Sequence, residues 1–300
     1  MIQSGKQDGM PNPYAESPPI AFAQPIDPNY DAVVLPMGSG APGEFGALVG
    51  RKKLVIKQRF DLREAVADQI GCGCVNFENK YDIFDLYTGE ALVHVKEESS
   101  ALQRCCFKPN HSAKLNFFDV RMGIPENSLM MVGKKPFKCC CCTCLNICNR
   151  EMMGHNSKDE LFSHTKQPFL GGVFSPTVET MDRQGSVFAT TKGPFCCVGG
   201  LVELCHTIEF DIYAGNQTDR PPIGKISKMK PDGMKGALKE AASDTDVFIL
   251  DVPENFTPEQ IGSLLTTVLL LDFQFFEDGA PCRFNPIEQV SLLLLARLIF

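Results

Sequence analysis

The sequence has no tryptophan, and only five tyrosines and five histidines among 300 residues. Without Trp the chain lacks the commonest anchor of membrane interfaces. The histidines, His94, His111, His155, His164 and His206, lie far apart. Cys205 and His206 adjoin, but neighbours on a strand point to opposite faces, so they make no nucleophile–base pair. No Gly-x-Ser-x-Gly elbow, P-loop or dinucleotide fingerprint occurs, and covalent catalysis is not supported. A surplus of positive charge is missing too. The formal net charge is -7 and the pI about 5.3, which argues against general nucleic-acid binding. The first residues, MIQSGKQDGMPNPY, contain no basic segment leading into an apolar run, so the expected starting compartment is the cytosol.

What the chain has in quantity is apolar residues (44%) and cysteine. The first is enough for a real core, in one large domain or two small ones. The fourteen cysteines do not read as a disulfide framework in a reducing compartment. They cluster instead, as Cys72 and Cys74, Cys105 and Cys106, Cys196 and Cys197, and the run Cys139 to Cys142 followed by Cys144 and Cys148.

Residues 1–48 read as a disordered leader. Eight of the 21 prolines fall between Pro11 and Pro42, in a setting of Gly, Ser, Asn and Asp. Ser17-Pro18-Pro19 and Asp27-Pro28-Asn29-Tyr30 offer short extended ligands for SH3- or WW-type modules; a solvated tail is the plainer reading. Order is expected to begin at the β-prone run Leu54-Val55-Ile56. Leu62, Val66 and Ile70 then carry helical spacing.

A weak internal repeat follows. Tyr81 to Asp85, Gly89 and Leu92 to Val95 make one unit. Asn116 to Val120, Gly123 and Leu129 to Val132 make a second. Val178 to Asp182, Gly185 and Val187 to Thr190 make a third. Each reads strand, Gly-bearing turn, strand. Ile208 to Ile212, Gly215 and Pro222 to Ile226 form a looser fourth copy. The repeats imply consecutive antiparallel hairpins and a mostly β domain. Pro136-Phe137 and Pro194-Phe195, each leading into cysteines, would put thiols at one end of the sheet. Residues 149–167 are polar and show no clear periodicity. Met234 to Ala242 allows a short helix. Thr257-Pro258-Glu259-Gln260 is a capping box opening a helix that ends at Gly279 and is apolar on nearly every face. Such a helix must be enclosed by protein or by lipid.

Six marks in order resemble the phospholipid scramblase family. They are Glu78-Asn79-Lys80-Tyr81-Asp82-Ile83; Pro136-Phe137 with the run Cys139 to Cys142; Gly193-Pro194-Phe195-Cys196-Cys197; Ile223-Gly224-Lys225-Ile226-Ser227-Lys228; Asp244-Thr245-Asp246-Val247-Phe248; and Leu271-Asp272-Phe273-Gln274-Phe275-Phe276-Glu277. The resemblance implies a tubby-like fold, mainly β (α+β), an antiparallel β-barrel around a hydrophobic C-terminal helix. The chain is expected to divide into the leader 1–48, a barrel domain 49–279 with its helix at 258–278, and an apolar extension 280–300 that departs from the family pattern. The resemblance also implies ATP-independent, Ca²⁺-linked phospholipid exchange at the cytoplasmic face of the plasma membrane, with signalling domains binding the leader. A palmitoylated cysteine run and, in some members, a nuclear-import stretch go with it. The alternative is a palmitoyl-anchored lipid-binding adaptor that transports nothing.

The residues bear on these implications separately. Thioester acylation of Cys139, Cys140, Cys141, Cys142 and Cys144 would anchor stably once two chains are attached, at about 0.8 kcal/mol per buried CH₂. Lys134, Lys135 and Lys138 would add attraction to anionic phospholipids. Zinc is the rival, though the run lacks the usual spacing of paired ligands; Cys105, Cys106, Cys196 and Cys197 would have to complete such a site in space. Asp244, Asp246, Asp251 and Glu254 are the candidate Ca²⁺ ligands. An EF-hand loop wants Gly at its sixth position and Glu at its twelfth, where this chain has Ile249 and Asn255, so binding is expected to be weak, on the order of 10⁻⁴ to 10⁻³ M. A strand from Val247 to Val252, entered by an acidic turn, is the plain alternative. Lys225, Lys228 and Lys230 would meet anionic headgroups or an import receptor, or else form a solvated face.

The uninterrupted apolar part of the last helix, Ile261 to Leu271, is short for a span of about 20 residues, and Asp272 would cost roughly 2.5 to 3.5 kcal/mol in mid-membrane. Enclosure is the physical expectation and a single-pass span the family's usual description; both stay open here. Direct scrambling by one apolar helix would need an oligomer or a barrel that distorts the bilayer, because a headgroup requires a hydrated path.

Overall fold

The computed structural model describes residues 44–59, 78–107, 110–122, 128–138, 149–169, 175–194, 208–229 and 246–276. Twelve strands form one closed barrel: β1 (Lys53–Gln58), β2 (Lys80–Asp85), β3 (Ala91–Ser99), β4 (Ala113–Asp119), β5 (Leu129–Lys135), β6 (Glu151–Asn156), β7 (Leu161–Lys166), β8 (Thr177–Asp182), β9 (Val187–Lys192), β10 (Ile208–Ala214), β11 (Gly224–Met229) and β12 (Val247–Asp251). Each strand pairs antiparallel with its neighbours in sequence. The ring closes between β1 and β12, with Lys53 opposite Asp251 and Lys57 opposite Val247.

The hairpin repeats expected from the sequence are all strand pairs here. Gly89, Gly185 and Gly215 have φ of 69°, 82° and 55°, the left-handed region that only glycine enters without strain. A further hairpin was not expected. Residues 151–166 form β6 and β7, turned by Asp159 (φ 65°) rather than by glycine. Asn156 makes that turn possible: its Oδ1 accepts from the backbone N–H of Lys158 (3.1 Å) and of Glu160 (2.8 Å). A second unexpected element is the short helix α1 (Ala101–Phe107), between β3 and β4. The boundary expected at 48 moves upstream, because Phe45, Ala47 and Leu48 are buried in the core. The helical expectations around Val66 and Met234 to Ala242 lie outside the described residues.

A barrel of eight strands is just filled by its own side chains. Twelve strands enclose more room, and helix α2 (Pro258–Leu271) occupies it. The capping box forms as written in the sequence: Thr257 Oγ1 accepts from the Gln260 N–H (3.2 Å), and Gln260 Oε1 from the Thr257 N–H (2.9 Å). At ~1.5 Å per residue the helix is roughly 21 Å long, close to the roughly 20 Å of a six-residue strand. Its final turn widens to π geometry over Asp272–Phe276. Every residue from Ile261 to Gln274 is buried. Each large aliphatic side chain on it contributes about 1.5–3 kcal/mol through burial.

Enclosure therefore replaces the single-pass alternative. No helix among the described residues is long and apolar enough to cross a membrane. Asp272 is inside the protein, accepting a hydrogen bond from Tyr81 Oη at 2.7 Å. The helix also carries a polar stripe. Thr267 Oγ1 lies 2.9 Å from Thr180 Oγ1 and donates to the Ser263 carbonyl at 3.1 Å, so the hydroxyls facing β7 and β8 are satisfied inside the protein.

Candidate functional site

Strand direction divides the barrel into two unlike ends. At one end the connections are mostly tight hairpin turns, such as 86–90, 157–160 and 183–186, and α2 enters there. At the other, β1 leaves and β2 returns, β5 leaves and β6 returns, and β9 leaves and β10 returns. The connections holding Cys72 and Cys74, the run Cys139 to Cys148, and Cys196, Cys197 and Cys205 all start and finish at this second end, as does α1 with Cys105 and Cys106. The five expected acylation positions, Cys139 to Cys142 and Cys144, themselves lie outside the described residues. Their anchoring points do not: Lys138 Nζ is 2.7 Å from Glu151 Oε1, clasping the two sides of the cysteine connection. His164 Nε2 is 2.8 Å from the other Glu151 oxygen. The His164 hydrogen bond, with help from Lys138, outweighs burial and lowers the Glu151 carboxyl to about 2.

Helix α2 points its C-terminus at this same end, where its last carbonyls and the negative pole of its dipole gather cations. Arg150 donates to the Gln274 carbonyl (3.0 Å) and the Phe273 carbonyl (3.4 Å). Lys135, buried, donates to the His111 carbonyl and lies 4.9 Å from the centre of the Phe273 ring. Glu97 and His111 are both buried, 2.9 Å apart. Burial alone would raise the Glu97 carboxyl, but hydrogen bonds from His111, Ser99 and the Asn79 N–H bring it below the ordinary value. These groups fasten the helix end.

The basic stretch is not one surface. Lys225 is outward and paired with Glu209 at 2.9 Å. Lys228, three residues on, shares the inward parity of Ile226. It is 3.0 Å from Asp246, and its ammonium sits 3.8 Å over the Phe276 ring. Lys225 and Lys228 therefore do not combine as a headgroup or import-receptor face, and Lys230 is outside the described residues.

Of the four expected Ca²⁺ ligands, the three that are described are not brought together either. Asp246 stands just before β12 and Asp251 ends it, and five residue steps at ~3.3 Å put them roughly 17 Å apart. Asp251 is 2.8 Å from Lys53, and Glu254 follows it at the hairpin end. Asp244 is outside the described residues. Asp246, Asp251 and Glu254 do not fit one ion, and among the described residues no group of three or more His, Cys, Asp or Glu has metal-binding geometry. The strand alternative for Val247 to Val252 is what the chain adopts, over Val247–Asp251.

Comparison with known proteins matches residues 33–278 to the family model described as Scramblase. The chain belongs to the scramblase family. Among curated proteins it is similar to phospholipid scramblase 1 of Homo sapiens, 25% identical over 229 residues, covering 75% of this chain and 63% of that protein. Phospholipid scramblase 2 of Bos taurus is 25% identical over 227 residues, covering 75% of this chain and 68% of the relative. Phospholipid scramblase 1 of Rattus norvegicus is 24% identical over 279 residues, covering 89% and 75%. The match to the human protein thus spans less than two thirds of that protein's length. No solved structure matches this chain.

Proposed function

We propose that this scramblase-family barrel exchanges phospholipids between the leaflets of the plasma membrane without ATP, held at the cytoplasmic face by palmitoyl thioesters on Cys139, Cys140, Cys141, Cys142 and Cys144. The observation that carries the reading is the family match over residues 33–278. It is supported by the gathering of cysteine-bearing connections at one barrel end. Two acyl chains suffice for stable attachment, and five thiols within six residues supply them.

The mode of transport follows from packing. Helix α2 and the inward side chains fill the barrel, so a headgroup passes along a bilayer distorted by the protein's outer surface, or between copies in a homo-oligomer. Ca²⁺ linkage rests on the family likeness and on the acidic sequence Asp244-Thr245-Asp246, whose last residue stands just before β12 at the cysteine-bearing end. Asp251 and Glu254 have no part in it. SH3- or WW-type partners belong to the leader on this reading, and a nuclear pool to unacylated protein.

The filled barrel also favours a second reading, an acyl-anchored lipid-binding adaptor without transport. Reconstitution decides between them. Fluorescent phospholipid in liposomes should become accessible to an outside quencher in the presence of the purified protein, faster with Ca²⁺. Absence of flip at every protein and Ca²⁺ concentration removes transport and leaves the adaptor.

A further inference from the structure

The cysteine-bearing end exposes aromatic rings. Among the described residues the exposed phenylalanines are Phe107 (48%), Phe137 (40%) and Phe169 (58%), and all three are at this end. Leu102, in the first turn of α1, is 73% exposed beside them in sequence. Phe107 and Phe137 come from different connections yet meet edge to face, with centroids 5.1 Å apart. Phe169 follows Gln167, whose N–H donates to the Arg150 carbonyl at 2.9 Å, where the chain re-enters from the cysteine run. The rings thus lie at the end where the chain leaves β5 and returns to β6, over the sector from β3 to β7. The opposite end also exposes apolar side chains: Val49, Tyr87, Met122, Leu161 and Ile223. Those are single residues on separate turns, the ordinary condition of a protein surface.

We infer that Phe107, Phe137 and Phe169, with Leu102, enter the interface of a phospholipid bilayer before and without any acyl chain. This deepens the anchored-barrel reading and rests on it for the identity of the surface. Continuity with the acylation run favours a bilayer over a protein partner. Phe137 is two residues from Cys139, within about 7 Å along the chain, so a chain esterified there holds the Phe107–Phe137 pair at interfacial depth. A single acyl chain binds only marginally, and a second signal makes attachment stable. The rings supply that signal and bring the cysteine run to the membrane surface.

The missing tryptophan makes the test clean, because each engineered indole is the only one in the chain. Full-length protein is made in a bacterial host that attaches no acyl chain, with Phe137→Trp, Phe107→Trp or Tyr87→Trp. Each is mixed with vesicles of phosphatidylcholine and phosphatidylserine carrying brominated acyl chains. The expected result is a blue shift and strong quenching for Phe137→Trp and Phe107→Trp, and neither for Tyr87→Trp. In an otherwise native chain, Phe137→Ser should lower the vesicle partition coefficient by about ten-fold, the loss of one buried ring. Equal quenching of the Tyr87→Trp reporter overturns the orientation. A blue shift of Phe137→Trp that depends on protein concentration without vesicles assigns the rings to a second copy of this chain and overturns the inference. Absence of quenching at both ring positions also overturns it, and leaves the acyl-anchor reading to be judged on cell-derived protein by thioester release.

Discussion

Lys228 keeps a positive charge on the inner face of β11 by pairing with Asp246 and lying over Phe276. Removing one partner leaves the other charge uncompensated, and the cost is greater for the more buried of the two, here Lys228 at 11% exposed against 29% for Asp246. Asp246→Asn should therefore destabilise the protein by about 2 kcal/mol, a value reduced for partial exposure. Lys228→Met keeps the stem over the ring and should cost less. Urea unfolding of the two variants checks the order, and the reverse order would remove the pairing account. This placement was half legible in the sequence: Lys228 shares parity with Ile226, yet a basic stretch invites a surface reading. Glu151 gives the pH dependence at this scale. Its carboxyl is lowered to about 2 from the ordinary 4.5, so its contribution is complete above about pH 4.5 and disappears as pH falls towards 2. Glu151→Gln should reduce stability at neutral pH and flatten the stability curve across that acid window, measured by chemical unfolding at a series of pH values.

At the scale of elements, α2 is the best-specified piece. Its cap and its all-round apolar surface were each written in the sequence, and Asp272 already spoke against lipid; the α-helical part itself stops at Leu271, short of the expected 258–278, and Gly279 lies outside the described residues. Gly262 is the detail that patterns do not reveal. A Cβ there would lie 2.9 Å from the Phe45 ring and 3.1 Å from Met131 Sδ. Glycine to alanine inside a helix ordinarily stabilises by about 1 kcal/mol. Gly262→Ala should instead destabilise, by about 1–3 kcal/mol, because the core is already full. A higher melting temperature for this variant would show that Phe45 does not pack where it is placed. The hairpin of β6 and β7 escaped sequence reading for a related reason. Its turn uses Asn156 and Asp159 where three other hairpins use Gly89, Gly185 and Gly215, and its strands are rich in polar residues that pair across the sheet, such as His164 with Glu151.

For the molecule as a whole, strand order brings the strand ends that carry the cysteine-bearing connections to one end of a barrel, which sequence alone foresaw only for the two connections entered through Pro-Phe. Asp246 and Asp251, close in sequence, are drawn apart at this scale because the segment between them is a strand. Exchanging Cys139, Cys140, Cys141, Cys142 and Cys144 together for Ala should release the protein from the membrane fraction of cells to the cytosol or nucleus. Hydroxylamine should do the same to the native chain. Unchanged fractionation in both would end the thioester account.

Enclosure of α2 underlies every other assignment, because a helix taken up by lipid would empty the barrel. Hydrogen exchange on protein free of both detergent and vesicles tests it most directly. The amides of residues 262–271 should rank among the slowest in the chain and keep that protection when vesicles are added. Exchange within minutes in the absence of lipid, with protection gained only on vesicles, would contradict enclosure and return this helix to the membrane.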